Sequence, residues 1–236
     1  MDYSNYIEFT NLKSPASSEI KHIIKFANEQ NYYGVCLNPG DLSVAAKYKK
    51  PELKLITVVG FPPIYAYSFY EKPTNPLLLN LGLYNRNMIK KLNYVIESNL
   101  ADEIDLVLPM LWFVKGDFVR IQRFLSGIKK RYNKPIKVIC ELGTMFNDRV
   151  ALYEIYRLLI DSNVDYFKTN TGLLKQDFNK LVVAIQNLNL VVQDFGLPRL
   201  KLKVSGGVRT IEQVETLVKL GADRIGTSAK LEFLKS

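Results

Sequence analysis

The sequence predicts an α/β chain folded as a (β/α)₈ TIM barrel. Short β-branched or apolar runs alternate with longer segments of helical periodicity, the pattern of repeated βα units. Eight such runs occur with helix-like segments between them, as a closed barrel requires. The 236 residues and 47% hydrophobic content suit one sizeable core, and α/β barrels commonly use about 200 to 250 residues as one domain.

Taken in order, the first strand is expected at 6–12 and the first helix at 18–29, opened by Ser17-Ser-Glu19. Strands at 34–38 and 54–61 follow. The segment 63–80, rich in proline and tyrosine with an apolar Leu77-Leu-Leu79, then breaks the regular spacing before a helix at 87–98. On a barrel this connection lies on the catalytic face, where it would serve as a lid or substrate wall, or as a packing or oligomer contact through its aromatics. A strand at 103–109 precedes a helix at 118–132. A strand at 136–142 precedes a helix at 149–162, opened by Asn147-Asp148. The sixth strand, 166–171, leads to a helix at 177–187. The seventh, 200–205, leads to a helix at 211–220, whose Thr210-Ile-Glu-Gln213 has capping-box spacing. The last strand is 224–227. No repeat or linker divides the chain, so 1–236 reads as one barrel domain with an insertion at about 63–80.

The formal charge of +9 fits an anionic small substrate, a nucleic acid, or lysine-rich solvated faces. Basic residues are scattered, as in Lys47-Tyr-Lys-Lys50 and Lys129-Lys-Arg131, with no nucleic-acid motif beside them, so no nucleic-acid partner is expected. No apolar run approaches the roughly 18 residues that span a bilayer, and Met1-Asp-Tyr-Ser-Asn-Tyr6 lacks signal-peptide character. A cytoplasmic protein without membrane association is the expectation. Cys36 and Cys140 lie in apolar runs and suggest reduced core thiols. With His22 the only histidine, a zinc cluster is not expected.

Two strand lysines carry the clearest chemical signal: Lys168 in Tyr166-Phe-Lys-Thr-Asn-Thr-Gly172 and Lys203 in Leu200-Lys-Leu-Lys-Val-Ser-Gly-Gly207. A lysine in a crowded apolar site loses solvation, and a second cation beside it further disfavours the protonated form, so one of the two can act as a neutral amine toward a carbonyl. The plainer alternative is two strand lysines whose stems snorkel to solvent. Gly206 and Gly207 after the seventh strand let backbone N–H groups approach an anion, and Gly226-Thr-Ser228 after the eighth adds amide and hydroxyl donors. Barrels often bind phosphate there, although a Gly-Gly pair also serves a tight strand-to-helix turn.

The segments Ala101-Asp-Glu-Ile-Asp-Leu-Val107, Ile136-Lys-Val-Ile-Cys-Glu141, Asp165-Tyr-Phe-Lys-Thr-Asn-Thr-Gly172, Lys203-Val-Ser-Gly-Gly-Val-Arg-Thr210 and Gly221-Ala-Asp-Arg-Ile-Gly-Thr-Ser228 closely resemble deoxyribose-phosphate aldolases in order and spacing. Val35-Cys-Leu-Asn-Pro39 and Thr57-Val-Val-Gly-Phe-Pro62 extend the resemblance over nearly the whole chain apart from 63–80. The resemblance implies a metal-free Schiff-base aldolase that reversibly cleaves 2-deoxyribose 5-phosphate into acetaldehyde and glyceraldehyde 3-phosphate. It implies Lys168 as the Schiff-base lysine, Lys203 as the second lysine that makes it reactive, and Asp105 as the aspartate that moves protons through water. A buried salt-bridge role for Asp105 is compatible with this. Gly172 joins Gly206, Gly207, Gly226 and Ser228 toward phosphate, and Thr10 and Thr171 would meet substrate hydroxyls or pack by their methyls. Lys137 and Glu141 resemble barrel-lining positions, with a structural ion pair as the alternative. The chain departs from the family at Glu8-Phe-Thr10, where Asp-His-Thr is usual, at Asn170 in place of serine, in 173–177, and at Ala229 and Lys230. Those departures keep open a same-mechanism aldolase acting on another aldehyde or sugar phosphate. A non-catalytic barrel that binds a sugar phosphate or a protein is the other alternative, and association into a homo-oligomer also stays open.

Overall fold

The computed structural model describes residues 2–13, 15–61, 81–109, 112–113, 115–145, 147–172 and 177–232. The insertion expected at 63–80 lies outside the described residues, as do 173–176 of the divergent loop. Eight parallel strands close into a barrel in chain order, with β8 beside β1. They are β1 (Ile7–Asn11), β2 (Gly34–Leu37), β3 (Lys54–Val59), β4 (Glu103–Val107), β5 (Ile136–Ile139), β6 (Tyr166–Lys168), β7 (Lys201–Ser205) and β8 (Arg224–Thr227). Between them run α1 (Ser17–Glu29), α2 (Leu42–Ala45), α3 (Leu81–Ser98), α4 (Phe118–Arg131), α5 (Leu142–Met145), α6 (Arg149–Asp161), α7 (Phe178–Asp194) and α8 (Ile211–Lys219).

Side-chain caps start several helices. Asp117, Asp148 and Asp177 accept N–H bonds from the first turns of α4, α6 and α7, and Thr210 with Gln213 forms the expected capping box on α8. The first helix differs from expectation. Ala16 stands at its N-cap without a side-chain bond, and Ser17 is already helical. α7 runs past the expected 187 to Asp194 because Leu188 and Val191 continue its buried stripe. The four-residue α2 and α5 are too short to leave a periodic signature.

β5 and β6 stop before the expected 142 and 171. The cause at β5 is the positive φ of Glu141 (50°), which turns the chain between two surviving bonds: Cys140 N–H to Lys168 O at 3.0 Å and Leu142 N–H to Thr169 O at 2.8 Å. A non-glycine residue in this region is uncommon and mildly strained.

The core has two compartments. The large one lies between barrel and helices and holds outward strand residues such as Val35, Leu55, Ile104, Val138 and Val204 with buried helix residues such as Ile24, Leu125 and Leu159. The second is separate and small: Cys36, Ile56, Val58, Val107 and Ile139. Strand register places these inward-facing residues with Glu103, Asp105, Lys137, Lys168 and Lys203, since Ile56 pairs with Glu103, Val58 with Asp105, Asp105 with Lys137, Ile139 with Lys168, and Lys168 with Lys203. The barrel interior is therefore apolar along β2 and β3 and mixed along β4 and β5, where Val107 and Ile139 stand two residues beyond Asp105 and Lys137, while β6, β7 and β1 bring in Lys168, Lys203 and Glu8. Glu8 has Gly34 and Gly226 as its register partners on either side, which leaves its side chain room to cross the barrel.

Gly34 also has no space for a methyl group. A Cβ there would lie 2.4 Å from Ile56 Cδ1 and 2.6 Å from the Lys54 carbonyl oxygen. Gly34→Ala is expected to lower unfolding stability by about 1–3 kcal/mol through overpacking, measured by urea denaturation against the parent chain.

Candidate active site

Alternation along β4 turns both Glu103 and Asp105 into the barrel, and the same period turns Lys137, Lys168 and Lys203 inward from β5, β6 and β7. All five, with Glu8, are buried. Asp105 is the centre of the group. Its Oδ2 accepts from Lys168 Nζ at 2.6 Å and from Lys203 Nζ at 2.5 Å, with the Cys36 thiol 3.7 Å away. Its Oδ1 is buried, 3.6 Å from Lys137 Nζ, and accepts no hydrogen bond from the described residues.

Glu8 ties the other side together. One carboxylate oxygen accepts from Lys203 Nζ and the other lies 3.0 Å from Lys137 Nζ. Lys137 in turn donates to Glu103, which also accepts from the Tyr33 hydroxyl. The Arg224 guanidinium stacks on the Tyr33 ring at 3.5 Å. A continuous polar chain thus runs from Arg224 through Tyr33, Glu103, Lys137 and Glu8 to Lys203, Asp105 and Lys168.

Burial penalises the charges of Asp105, Glu8, Lys203 and Lys137, but pairing outweighs it. Asp105 is pushed up by burial and pulled further down by Lys168, Lys203 and Lys137, so it stays ionised well below the usual carboxylate range. Glu8 is lowered on the same balance, by Lys137 and Lys203 against burial. Burial draws Lys203 down, and Asp105 and Glu8 more than reverse it. Lys137 is raised well above the ordinary lysine value by Glu8, Asp105 and Glu103 against its burial. Lys203 is accordingly a fixed cation. Burial, then Asp105, pushes the Cys36 thiol up to about 12, so it remains a neutral thiol. Cys140 is likewise buried and free.

The structure brings Lys168, Lys203 and Asp105 into direct contact and sets the remaining sequence candidates around them. Thr10 is half-buried, in register with Cys36, and its hydroxyl donates to Glu8 O at 3.3 Å. Gly226 lies deeper, where a Cβ would come within 3.4 Å of Lys203 Cε and 3.2 Å of Ser205 Cβ. Gly172, Gly206 and Gly207 all take positive φ (82°, 111° and 79°) at the exits of β6 and β7, with Gly172 packed over Gly206. Ser228 is exposed. Thr171 N–H donates to Glu141 Oε1 at 2.8 Å, and its hydroxyl also hydrogen-bonds that carboxyl. Lys230 lies 5.4 Å over the Phe26 ring of α1.

Lys137 pairs with Glu8, Glu103 and Asp105, while Glu141 faces Thr171, so these two strand-five residues serve different neighbours. Glu103 was not among the sequence candidates. Its signal was present in the two-residue spacing to Asp105, which puts both acids on one face. Tyr33 and Arg224 had no comparable local signal. Among the described residues no cluster of histidine, cysteine and carboxylate side chains is arranged to hold a metal ion, and no helix is long and apolar enough to cross a membrane.

Asp105 and Glu8 contribute stability that is present above about pH 4 and lost as pH falls. Lys137 and Lys203, raised on folding, contribute stability that is present below about pH 10.4 and lost as pH rises. A stability plateau between these limits is expected in urea unfolding measured across pH. At neutral pH, Lys137→Met should cost about 3–5 kcal/mol by leaving the buried carboxylates of Glu8, Glu103 and Asp105 short of a partner, as the same unfolding assay would show.

No protein-family model matches the chain. Sequence comparison finds a deoxyribose-phosphate aldolase of Mesomycoplasma hyopneumoniae (strain 232), 29% identical over 239 residues, covering 100% of this chain and 96% of that protein. Another, from Thermococcus gammatolerans, is 28% identical over 242 residues with the same coverage of both chains. Among solved structures, the aldolase QR15 superposes with a TM-score of 0.75 at 23% identity, covering 98% of this chain and 93% of that one. A tetrameric deoxyribose phosphate aldolase from Aeropyrum pernix gives 0.70 at 23% identity, with 96% and 87% covered.

Proposed function

Because the chain is a divergent member of the deoxyribose-phosphate aldolase family, we propose that it is a Schiff-base aldolase that reversibly cleaves 2-deoxy-D-ribose 5-phosphate to acetaldehyde and D-glyceraldehyde 3-phosphate. The observation that carries this reading is the sharing of one Asp105 oxygen by Lys168 and Lys203 inside the barrel. A binding module has no use for two buried amines on one carboxylate, because their desolvation is costly. An amine that must attack a carbonyl does.

In this reaction the free amine of Lys168 attacks the C1 aldehyde. Proton transfers convert the carbinolamine to a protonated iminium with loss of water. The iminium draws electrons from the C2–C3 bond as the C3 hydroxyl gives up its proton. Glyceraldehyde 3-phosphate leaves, and the resulting enamine is protonated and hydrolysed to acetaldehyde. Lys203, held as a cation by Glu8 and Asp105, stabilises the oxyanion of the carbinolamine.

Asp105 is held too low to be a strong base. Its part is to anchor both amines and to hand protons through water at Oδ1, the oxygen to which no described residue donates. The phosphate would rest on the backbone of Gly172, Gly206 and Gly207, with Ser228 and Gly226 contributing from β8. Thr10 and Thr171 face substrate hydroxyls or hold the turns that do. No cofactor enters this scheme.

Borohydride trapping with acetaldehyde and with 2-deoxyribose 5-phosphate, followed by peptide mass spectrometry, is expected to place the adduct on Lys168. Lys168→Ala should abolish both adduct and turnover, and a Lys168→Ala protein that retained full activity would refute the Schiff-base assignment. Asp105→Asn should lower kcat by about 10²- to 10⁴-fold. Lys203→Leu should slow imine formation and move its pH profile upward. A panel of phosphorylated and unphosphorylated aldehydes separates the deoxyribose 5-phosphate assignment from an aldolase of the same mechanism with another substrate.

A further inference from the structure

The exits of β5 and β6 hold one another by crossed bonds. Glu141, after β5, accepts the backbone N–H of Thr171 at 2.8 Å, and Asn170, after β6, accepts the backbone N–H of Gly143 at 3.1 Å. Each loop therefore lends a side chain to the other's backbone. Asn170 reaches one strand further. Its Nδ2 donates to Ser205 O at 3.2 Å, and Ser205 Oγ donates to Asn170 O at 2.5 Å. Three strand exits are joined by one buried amide and one buried carboxyl.

The backbone strain of this region lies at the same place. Glu141 is the residue with φ of 50°, and that turn takes the chain from β5 into α5. A strained non-glycine conformation persists where surrounding bonds over-determine it. Immediately beyond Thr171, Gly172 packs on Gly206, with φ positive at both. Whatever fixes Thr171 also fixes the spacing of these two glycines.

We propose that Glu141 and Asn170 are positioning residues, a reciprocal clasp that sets the Gly172–Gly206 contact and thereby the grip on the anionic end of the substrate. This rests on the aldolase reading above. Asn170 supplies what a serine there is too short to supply, since its amide both accepts from Gly143 and donates to Ser205. The clasp acts through geometry rather than proton transfer: any side-chain oxygen at the Glu141 position that accepts from Thr171 N–H maintains it.

Four measurements on Glu141→Ala, Glu141→Gln and Asn170→Ser test this. They are borohydride trapping of acetaldehyde on Lys168, kcat and KM for 2-deoxyribose 5-phosphate, KM for unphosphorylated 2-deoxyribose, and thermal unfolding. Acetaldehyde carries no anionic end, so its trapping is expected to be unchanged in all three folded variants. Glu141→Ala and Asn170→Ser should raise KM for the phosphorylated sugar about tenfold while leaving KM for the unphosphorylated sugar within a factor of about two. Glu141→Gln, which keeps an acceptor oxygen, should restore the parent KM. Equal losses on both sugars, or a glutamine variant as impaired as the alanine one, would overturn the clasp. Unchanged KM in Glu141→Ala would do the same. Failure of the parent chain to trap acetaldehyde would instead remove the aldolase reading beneath it, and that result is visible before any clasp variant is made.

Discussion

One carboxylate oxygen, Oδ2 of Asp105, is the point on which the interior of this barrel depends. It is buried, and two lysine nitrogens from adjacent strands donate to it within 2.6 Å. In water such contacts would be worth little. Away from water, removing any partner leaves an unpaired buried charge, so the group stands or falls as a unit. Glu8 extends the same logic across the barrel, because one of its oxygens holds Lys203 and the other faces Lys137.

The fold accommodates this charge by dividing the barrel interior. Cys36, Ile56, Val58, Val107 and Ile139 form an apolar cluster that adjoins the ionic chain, with the Cys36 thiol 3.7 Å from Asp105. This apolar cluster keeps water out and strengthens the ionic contacts beside it. Glycine provides the room. Gly34 and Gly226 flank Glu8 in register, and a Cβ at Gly226 would crowd Ser205 Cβ at 3.2 Å and touch the Lys203 stem. The helical shell contributes rigidity through a separate, larger core.

Much of this was legible in the residues. The eight strands lie within or at the edges of the expected runs, because alternation of short β-branched runs with amphipathic helices has few folded solutions. Lys168 and Lys203 stood out as lysines inside strand-like runs, where solvation alone cannot keep them, and Asp105 was reached through the family resemblance. Glu103 was legible in principle, two residues before Asp105 on the same face. Tyr33 and Arg224 were not, because a tyrosine before β2 and an arginine at the start of β8 look like ordinary surface residues until the barrel closes and stacks them.

By itself the sequence determined the periodicity of strands and helices, the caps at Asp148 and Thr210, and the inward lysines Lys168 and Lys203, because these depend on residues a few positions apart. Partner choice was decided only by the tertiary structure. That Lys203 is held by two carboxylates, that Lys137 answers to Glu8 and Glu103 rather than Glu141, and that Asn170 spans three strand exits all follow from barrel closure. Closure sets β1 beside β8 and brings Glu8 to Lys203 across 195 residues of chain, a distance over which no local pattern carries information.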